Sequence, residues 1–361
     1  MFKRSTALIA LTFILSASVS AQKIEPPKLT PVPSTEQQDK LIKEGIALHD
    51  QRDYDGAIKK YEEVLKENPH NVSALYEMAY SYTMKRDHRK SLELAYKGAQ
   101  YKSDSLALLY QLIGNNLDVL GEPEKAIEAY KAGIKIRPDF ALLYFNLAIT
   151  YLNQKKPDEA KKNLKRSVQL NPNHASSHLR LGELFYITNY KTPALFAVSR
   201  FLILEPRTER SVEAYKIFRE ILQGGVSKGK NPNEINIFAD FSGKKDEGDF
   251  GSIDLMLGLS KAVGMTEKNE GKSEMQLLVE QLESLFAVIS ETDPKGDRSK
   301  FVWKYYIPYF IELRKRNFVE PFGYYVSQRS NVSGVQEWLT TNSKRVNEFL
   351  TWSKQYQWPK D

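Results

Sequence analysis

No cysteine occurs among the 361 residues of the chain. Disulfide bonds, thiolate metal sites and cysteine nucleophiles are therefore excluded. A lipid anchor attached to a cysteine at a cleavage site is excluded for the same reason. Because no covalent cross-link is available, packing of the secondary structure has to provide the stability of the fold.

Long apolar runs are also missing, apart from one near the N-terminus. Residues 7–19 are apolar but too few to span a bilayer, and they lie between Lys3-Arg4 and the small residues around Ala21. This pattern predicts a cleavable secretory signal over residues 1–21, with an uncleaved anchor or a buried helix as the alternative. For an exported chain without cysteine we expect the periplasm of a bacterium, with secretion from the cell as the alternative.

Motifs for catalysis and cofactor binding are missing as well. The sequence has no HExxH zinc motif, no GxxxxGK[ST] phosphate loop and no GxSxG elbow. His174 and His178 have the spacing of one helix face, but two ligands make a weak metal site, so packing is favoured. The acidic residues Asp246, Glu247 and Asp249 lack the spacing of an EF-hand and are expected in a solvated loop. We predict no catalytic residue, cofactor or metal, and the net charge of only +7 predicts no nucleic-acid partner.

What the sequence does contain is a motif of about 34 residues that recurs five times between Gln38 and Thr208. Each copy has a small residue, a bulky apolar residue four positions later and a proline eight positions beyond that. The clear copies are Ala57/Tyr61/Pro69, Ala126/Tyr130/Pro138, Ala160/Leu164/Pro172 and Ala194/Val198/Pro206. The second copy is weaker, with Ser91, Ala95 and Ser103 at these positions.

Apolar residues within each copy follow a spacing of three or four, which predicts two amphipathic helices, here named A and B. Small residues such as Gly45, Ala57 and Gly114 are expected where neighbouring helices cross closely. The late proline is expected to end helix B. The predicted repeats span 38–71, 72–105, 107–140, 141–174 and 175–208, with Leu106 inserted once.

These residues resemble the tetratricopeptide repeat (TPR) family. The segments DYDGAIKKYEEVLKENPHN (Asp53 to Asn71) and EPEKAIEAYKAGIKIRPDF (Glu122 to Phe140) are similar to the second half of its consensus. The resemblance implies an all-α fold, with five helix-turn-helix repeats in a right-handed superhelix. Glu44, Ser91 and Ser103 depart from the family pattern and weaken mainly the second repeat.

The rest of the chain is divided by composition. Residues 22–37 are proline-rich and are predicted to form an extended linker. Residues 209–223 are predicted to cap the repeats, 224–251 to form a loop, and 252–361 to form a second, small helical domain with an aromatic core. The run FVWKYYIPYFIELRKRNFVEPFGYYVSQ resembles the C-terminal segment of some exported bacterial repeat proteins, and Pro308 within it is expected to kink its helix.

The family resemblance also implies a concave groove lined by repeat positions 5, 9 and 12 of helix A. In this chain those positions are Ile42, Ile46, His49, Tyr76, Tyr80, Thr83, Gln111, Asn115, Asp118, Phe145, Ile149, Leu152, Leu179, Glu183 and Tyr186. Tyrosine and phenylalanine supply rigid contact area for a partner. The alternative is that these residues pack against neighbouring helices, the linker or the C-terminal domain. The Lys/Asn/Arg clamp that some relatives use for a free carboxylate is not assembled here.

Two classes of function are compatible with these patterns. The first is a non-enzymatic scaffold of the cell envelope, which binds a peptide or helix of another protein in the groove. The second is an envelope hydrolase, or a glycan-processing or glycan-binding protein, with its site in the C-terminal domain. A glycosidase needs two facing carboxylates, for which Glu312, Glu320 and Glu337 are the candidates.

Overall fold

The computed structural model describes residues 24–228, 230, 234–237, 246–264, 269, 271–292 and 299–359. The predicted signal over residues 1–21 lies outside this part of the chain. The chain divides between Asn163 and Leu164 into two compact units.

The first unit consists of helices, and each of the first six packs against the next one along the chain. Its helices are α1 (Glu36–Asp50), α2 (Tyr54–Glu67), α3 (Val72–Met84), α4 (His88–Gly98), α5 (Leu106–Val119), α6 (Pro123–Ile136), α7 (Ala141–Asn153) and the first half of α8 (Pro157–Leu170). Each predicted repeat therefore contains the two helices that its apolar spacing indicates.

Side chains at the helix ends explain where these helices start. Thr35 and Gln38 form a capping box at the start of α1, while Asp53 and Asp87 accept the backbone N–H of the third residue beyond them. Such caps satisfy N–H groups that have no partner inside the helix. The turns between helices A and B pass through positive φ at Arg52, Arg86, Gly121 and Lys155 in the same place of successive repeats.

Two glycines hold helices A and B close together in the first and third repeats. A Cβ atom on Gly45 would lie 2.4 Å from the ring of Tyr61, and one on Gly114 would lie 2.4 Å from the ring of Tyr130. Both tyrosine side chains are buried in the contact that results. The small residues thus have the packing role that the repeat pattern predicts.

The proline-rich segment before α1 is extended, and it packs on the first unit. Leu29 forms a parallel bridge with Tyr101, and its carbonyl accepts the N–H of Lys102 at 2.9 Å. Further along, Asn68 and Asn71 donate to this segment from the turn after α2. The segment therefore runs along the turns that connect successive repeats, and α1 begins at Glu36, two residues before the predicted repeat.

The second unit starts within α8. It contains α9 (Ala175–Ile187), α10 (Lys191–Leu204), α11 (Glu209–Gln223), β1 (Val226–Lys228), β2 (Ile235–Ile237), α12 (Gly251–Gly264), α13 (Glu274–Glu291), α14 (Phe301–Tyr305), α15 (Ile307–Lys315), α16 (Val319–Val326), α17 (Val335–Thr341) and α18 (Ser343–Gln355).

Residues 224–251 are not wholly the loop that their composition predicts. Strands β1 and β2 pair antiparallel within them, with Val226 opposite Ile237 and Lys228 opposite Ile235. The hairpin is the only strand pairing between elements in the described residues, and the helical fold class is otherwise confirmed.

The helices after Ser252 belong to the same compact unit as the fifth repeat, whereas a separate domain was expected there. Phe196 of α10 lies 4.8 Å from Phe310 between ring centroids, and Phe218 of α11 lies 6.3 Å from Phe322. Helix α10 explains this difference, because it is buried on every side from Thr192 to Ile203. A helix that is apolar all round needs partners all round. Helix α11 packs on α10 and also on α12, so it does not cap an open end.

The aromatic core expected in the C-terminal part is present, with Tyr305, Tyr306, Tyr309 and Phe310 all buried. The predicted kink at Pro308 is a break between two helices. Helix α14 ends at Tyr305, and Pro308 lies in the first turn of α15, where its missing N–H costs no hydrogen bond.

Candidate functional site

The predicted groove residues of the first unit lie on helices α1, α3, α5 and α7, the A helices of the first four repeats. Their exposure is uneven: Ile42 is buried, Tyr80 is 38% exposed and most others are half-buried. Half-burial means that neighbouring helices cover part of the surface of each side chain. Contacts within the unit therefore decide which of these residues remain available to a partner.

The polar centre of the predicted groove is used mainly to join one repeat to the next. The hydroxyl of Tyr130 donates to Asn115 at 2.9 Å and to Asp118 at 3.0 Å. The next repeat adds donors, from Asn146 to Asn115 at 2.8 Å and from Thr150 to Asp118 at 2.5 Å. Burial raises the pKa of Asp118, while the hydrogen bonds from Thr150 and Tyr130 oppose that rise.

The Thr83 side chain is also hydrogen-bonded within the protein. Its hydroxyl bonds with that of Ser91 at 2.8 Å, and Asn116 donates to both side chains. His88 contacts the same amide through Nδ1, 2.8 Å from Oδ1 of Asn116. Ser91 replaces the usual packing alanine, and here it belongs to a polar network between the second and third repeats. Thr83, Asn115 and Asp118 were predicted to face a partner, whereas in the structure they form hydrogen bonds within the protein.

The part of the predicted groove that the first two repeats form is aromatic, whereas the centre is polar. His49 stacks on Tyr80 with ring centroids 4.8 Å apart, and Tyr80 in turn stacks on Tyr76 at 6.3 Å. Nδ1 of His49 lies 2.8 Å from the Ser81 hydroxyl, which orients the imidazole. Burial lowers the pKa of His49 and raises the pKa of Tyr76 to about 12. These three rings form one aromatic surface, hereafter the His49–Tyr80–Tyr76 stack.

Two carboxylates beside this stack were missed by the sequence analysis. Glu77 comes after Tyr76 on α3, and Asp50 comes after His49 at the end of α1. Burial raises the pKa of Glu77, and the charge of Asp50 raises it further. Each lies one position after a predicted groove residue, so widening the pattern by one residue would have found both.

In the second unit, the three predicted groove residues are either buried or bonded to other residues of the protein. Leu179 is buried with 4% of its surface exposed. Glu183 forms an ion pair with Arg180 at 2.8 Å, and the Tyr186 hydroxyl donates to Glu220 at 2.6 Å. That hydrogen bond raises the pKa of Tyr186.

The residues considered for metal binding or catalysis have structural contacts. His178 is buried, with Nε2 3.0 Å from the carbonyl of Pro172 and Nδ1 2.7 Å from the Tyr306 hydroxyl. Because a carbonyl only accepts, Nε2 carries the proton and Nδ1 accepts from Tyr306. Both ring nitrogens are thus used, and no group of three potential metal ligands occurs in the described residues.

The acidic cluster is solvated only in part, since Asp246 and Asp249 are exposed. Glu247 is 1% exposed and pairs with Lys165, and Asp246 also accepts a hydrogen bond from Tyr190. Among the carboxylates proposed for a glycosidase, Glu312 pairs with Arg316 at 2.7 Å. In the part of the chain that the structure describes, no helix is both long and apolar enough to span a bilayer.

Comparison with known proteins identifies the repeated part of the chain. Models of the tetratricopeptide repeat match residues 42–106 and 141–174, and a TPR repeat model matches 120–155. The TPR repeat-containing protein MJ1428 of Methanocaldococcus jannaschii is 31% identical over 110 residues, which is 30% of this chain and 19% of that protein. Human protein O-mannosyl-transferase TMTC3 is 42% identical over 62 residues, 17% of this chain and 7% of that protein.

The chain thus spans no more than a fifth of these two relatives. Among solved structures, TTC0263, a thermophilic TPR protein of Thermus thermophilus, covers 50% of this chain and 99% of its own length, with 21% identity and a TM-score of 0.43. The three family matches fall on the helix pairs of the first four repeats. The chain therefore contains tetratricopeptide repeats, which the family models match between residues 42 and 174.

Proposed function

We propose that this protein is a non-enzymatic scaffold of the cell envelope that binds a segment of another protein on the A helices of its first two repeats. The observation that carries the proposal is the His49–Tyr80–Tyr76 stack, in which Tyr80 is 38% exposed. Stacked rings are rigid, so they offer contact area to a partner at little cost in conformational entropy.

The surroundings of the stack support a partner from outside the unit. The chain's own proline-rich segment forms its hydrogen bonds with the turns after α2 and α4 and with Tyr110 of α5. The polar side chains in the centre of the groove are satisfied by neighbouring repeats. The stack therefore offers exposed aromatic surface, whereas Thr83, Asn115 and Asp118 already have hydrogen-bond partners.

A photo-crosslinking experiment tests the site directly. A benzoylphenylalanine replaces Tyr80 in the full chain, and a control carries it at Lys131, which is exposed on helix B of the third repeat. After irradiation in the producing cells, we expect a defined protein adduct from position 80, mapped to one peptide of the partner, and none from position 131. Equal labelling at both positions, or no adduct at position 80, would show that the stack is not the binding site.

Export is the second part of the proposal, and it rests on the basic, apolar and small residues of the first 21 positions. We propose that the mature protein begins after Ala21 and acts in the periplasm. Mass spectrometry of the protein from fractionated cells should find an N-terminus at Gln22 in the periplasmic fraction. An intact N-terminus in the cytoplasmic fraction would contradict this.

We propose no enzymatic activity for the chain. The C-terminal part that holds the residues considered for catalysis has an aromatic core in which Tyr305, Tyr306, Tyr309 and Phe310 are buried. The identity with the human transferase is limited to 62 residues. A sedimentation assay with purified wall polymer distinguishes the glycan-binding alternative, because a protein scaffold is expected to stay in the supernatant.

A further inference from the structure

One tyrosine hydroxyl in the first repeat is buried without a hydrogen bond. The side chain of Tyr61 is fully buried, and its hydroxyl has no hydrogen-bond partner among the described residues. A buried polar group without a partner is costly and rare in native proteins. This hydroxyl therefore needs an explanation.

The third repeat shows what a tyrosine at this position normally does. Tyr130 occupies the same repeat position, is held by the equivalent glycine, and donates to Asn115 and Asp118. In the first repeat, Ile46 and His49 stand where Asn115 and Asp118 stand in the third. The two local acceptors have been replaced while the hydroxyl has been kept.

Glu77 occupies the repeat position of Asn146, and Asn146 bonds to Asn115 beside the Tyr130 hydroxyl, so the repeat geometry places Glu77 beside the Tyr61 hydroxyl. Burial raises the pKa of Tyr61, and the Glu77 and Asp50 carboxylates raise it further. Lys60, the residue before Tyr61, is paired with Glu44 at 2.8 Å. Asp50 is also the charged neighbour that raises the pKa of Glu77. The half-buried Glu77 therefore sits among groups that disfavour its negative charge.

We propose that Asp50, Tyr61 and Glu77 form a cation-binding subsite, which takes a lysine or arginine side chain of the bound protein segment. A cation at this point keeps the Glu77 carboxylate ionised, and the Tyr61 hydroxyl then donates to it. The adjacent His49–Tyr80–Tyr76 stack packs against the aliphatic part of the same side chain and offers ring faces to its charge. This inference rests on the proposed function, and it names the chemistry that the partner must present.

An organic cation fits these groups better than a metal ion. Two carboxylates and a phenol are fewer ligands than calcium requires, and the described residues contain no cluster of three His, Asp or Glu ligands. Aromatic rings border the subsite, and they favour a cation with an apolar stem. A lysine or arginine side chain neutralises the carboxylates with its charged group and packs its aliphatic part against the aromatic rings.

Tyrosine NMR tests the subsite without knowledge of the partner. The full chain is labelled with 13C at the phenol carbon Cζ, and Tyr61→Phe assigns the Tyr61 signal. The probes are N-acetyl-lysine methylamide, N-acetyl-arginine methylamide and the neutral N-acetyl-norleucine methylamide. We expect the two cationic probes to shift the Tyr61 signal saturably, with dissociation constants in the millimolar range, and the neutral probe to leave it unchanged.

Matched variants separate the subsite from general charge attraction. In Glu77→Gln the shift should fall at least about tenfold at a given probe concentration, whereas Glu62→Gln, at an exposed position of α2, should keep it. A Tyr61 signal that persists in Glu77→Gln shows that the variant is folded. The proposal is overturned if norleucine causes the same shift, if the cations cause none, or if Glu77→Gln responds like wild type.

The two proposals can fail separately. A saturable cation shift without a crosslinked partner at position 80 would retain the subsite and reject the scaffold site. A defined crosslink at position 80 without any cation shift would retain the scaffold site and reject the cationic partner.

Discussion

Two tyrosines at the same repeat position, Tyr61 and Tyr130, have the same packing and opposite hydrogen bonding. Each ring lies against a glycine of helix A, where a Cβ atom would come within 2.4 Å. The hydroxyl of Tyr130 has two acceptors, whereas that of Tyr61 has none among the described residues. The difference comes from only two side chains on the facing helix, since Asn115 and Asp118 are replaced by Ile46 and His49.

We predict that replacing each of these two tyrosines by phenylalanine changes the stability of the protein differently. Tyr130→Phe removes two hydrogen bonds from a buried hydroxyl and should lower the free energy of unfolding by about 1–2 kcal/mol. Tyr61→Phe removes a hydroxyl without a partner among the described residues and should leave that free energy unchanged or raise it slightly. Urea unfolding followed by circular dichroism measures both. A loss of the same size in the two variants would mean that the Tyr61 hydroxyl has a partner in solution.

A pH-dependent stability is expected from His178. Burial, and then the charge of Arg200, lower the pKa of His178 well below its ordinary 6.5, while the Pro172 carbonyl opposes the shift. The folded protein therefore keeps the imidazole neutral, and below pH 6.5 the unfolded chain binds the extra proton. The stability from this group is complete above pH 6.5 and is lost as pH falls below it, by up to about 1.4 kcal/mol per pH unit.

Tryptophan fluorescence is the measurement for this prediction, because all four tryptophans lie between residues 303 and 358. Urea midpoints from pH 8 to pH 5 should fall more steeply for wild type than for His178→Gln, whose side chain does not titrate. His178→Gln is also expected to be less stable than wild type at pH 8, since it loses the buried hydrogen bond between the imidazole and the Tyr306 hydroxyl. Parallel slopes would exclude His178 as the titrating group.

Among the helices, α10 is the one that organises the second unit. It is buried from Thr192 to Ile203 and carries one charged residue in that stretch, Arg200. The Arg200 guanidinium donates to Ser353 and Asn173, at 2.9 Å each, and lies 4.9 Å from the ring centre of Trp358. A buried charge is tolerated only with several hydrogen bonds, and the flat guanidinium provides them in several directions at once. Arg200 thereby joins α10 to the last helix and the C-terminal residues.

Arg200→Lys should therefore be costly although the charge is kept. An ammonium group neither bonds to Ser353 and Asn173 together nor stacks on Trp358, so we expect a loss of about 2–4 kcal/mol of stability. Arg180→Lys is the control, because Arg180 is exposed and pairs with Glu183 on its own helix, as a lysine can, so the loss should be less than about 0.5 kcal/mol. Tryptophan fluorescence during urea unfolding compares the two. An equal effect would show that the planar contacts of Arg200 add nothing to stability.

At the scale of the whole molecule, the boundary between compact units falls within the repeats. The fifth repeat packs with the C-terminal helices through pairs such as Phe196 with Phe310 and Phe218 with Phe322. Tyr305 adds a hydrogen bond of 2.6 Å to the carbonyl of Val168 in α8. The last repeat therefore serves as packing surface for the C-terminal part, while the first two repeats hold the exposed stack.

Ending the chain at Gly225 tests this division. The fifth repeat would lose the partners of Phe196, Phe218 and Arg200, so α9, α10 and α11 should exchange their amide hydrogens rapidly and bind a hydrophobic dye. Helices α1 to α6 should keep their protection. Slow exchange in α10 of the shortened chain would mean that the repeats fold as one array without the C-terminal helices.

The sequence by itself determined the repeats, because their signals are local. The spacing of three and four residues, the small residues at helix crossings and the caps at Asp53 and Asp87 all act within a turn or two of the chain. The aromatic stack was also within reach, since Tyr76 and Tyr80 are four residues apart on one helix face.

The tertiary structure alone decided which predicted site residues are available. Asn115 and Asp118 bond to residues 31 and 32 positions away, and Arg200 bonds to one 153 positions away. Such distant pairs leave no local trace in the sequence, so only the tertiary structure decides between a partner and a neighbouring helix for the centre of the groove. The same holds for Glu77, whose raised pKa depends on burial by neighbouring helices. Local periodicity determines a helix, whereas the partners of its side chains depend on which helices the fold brings together.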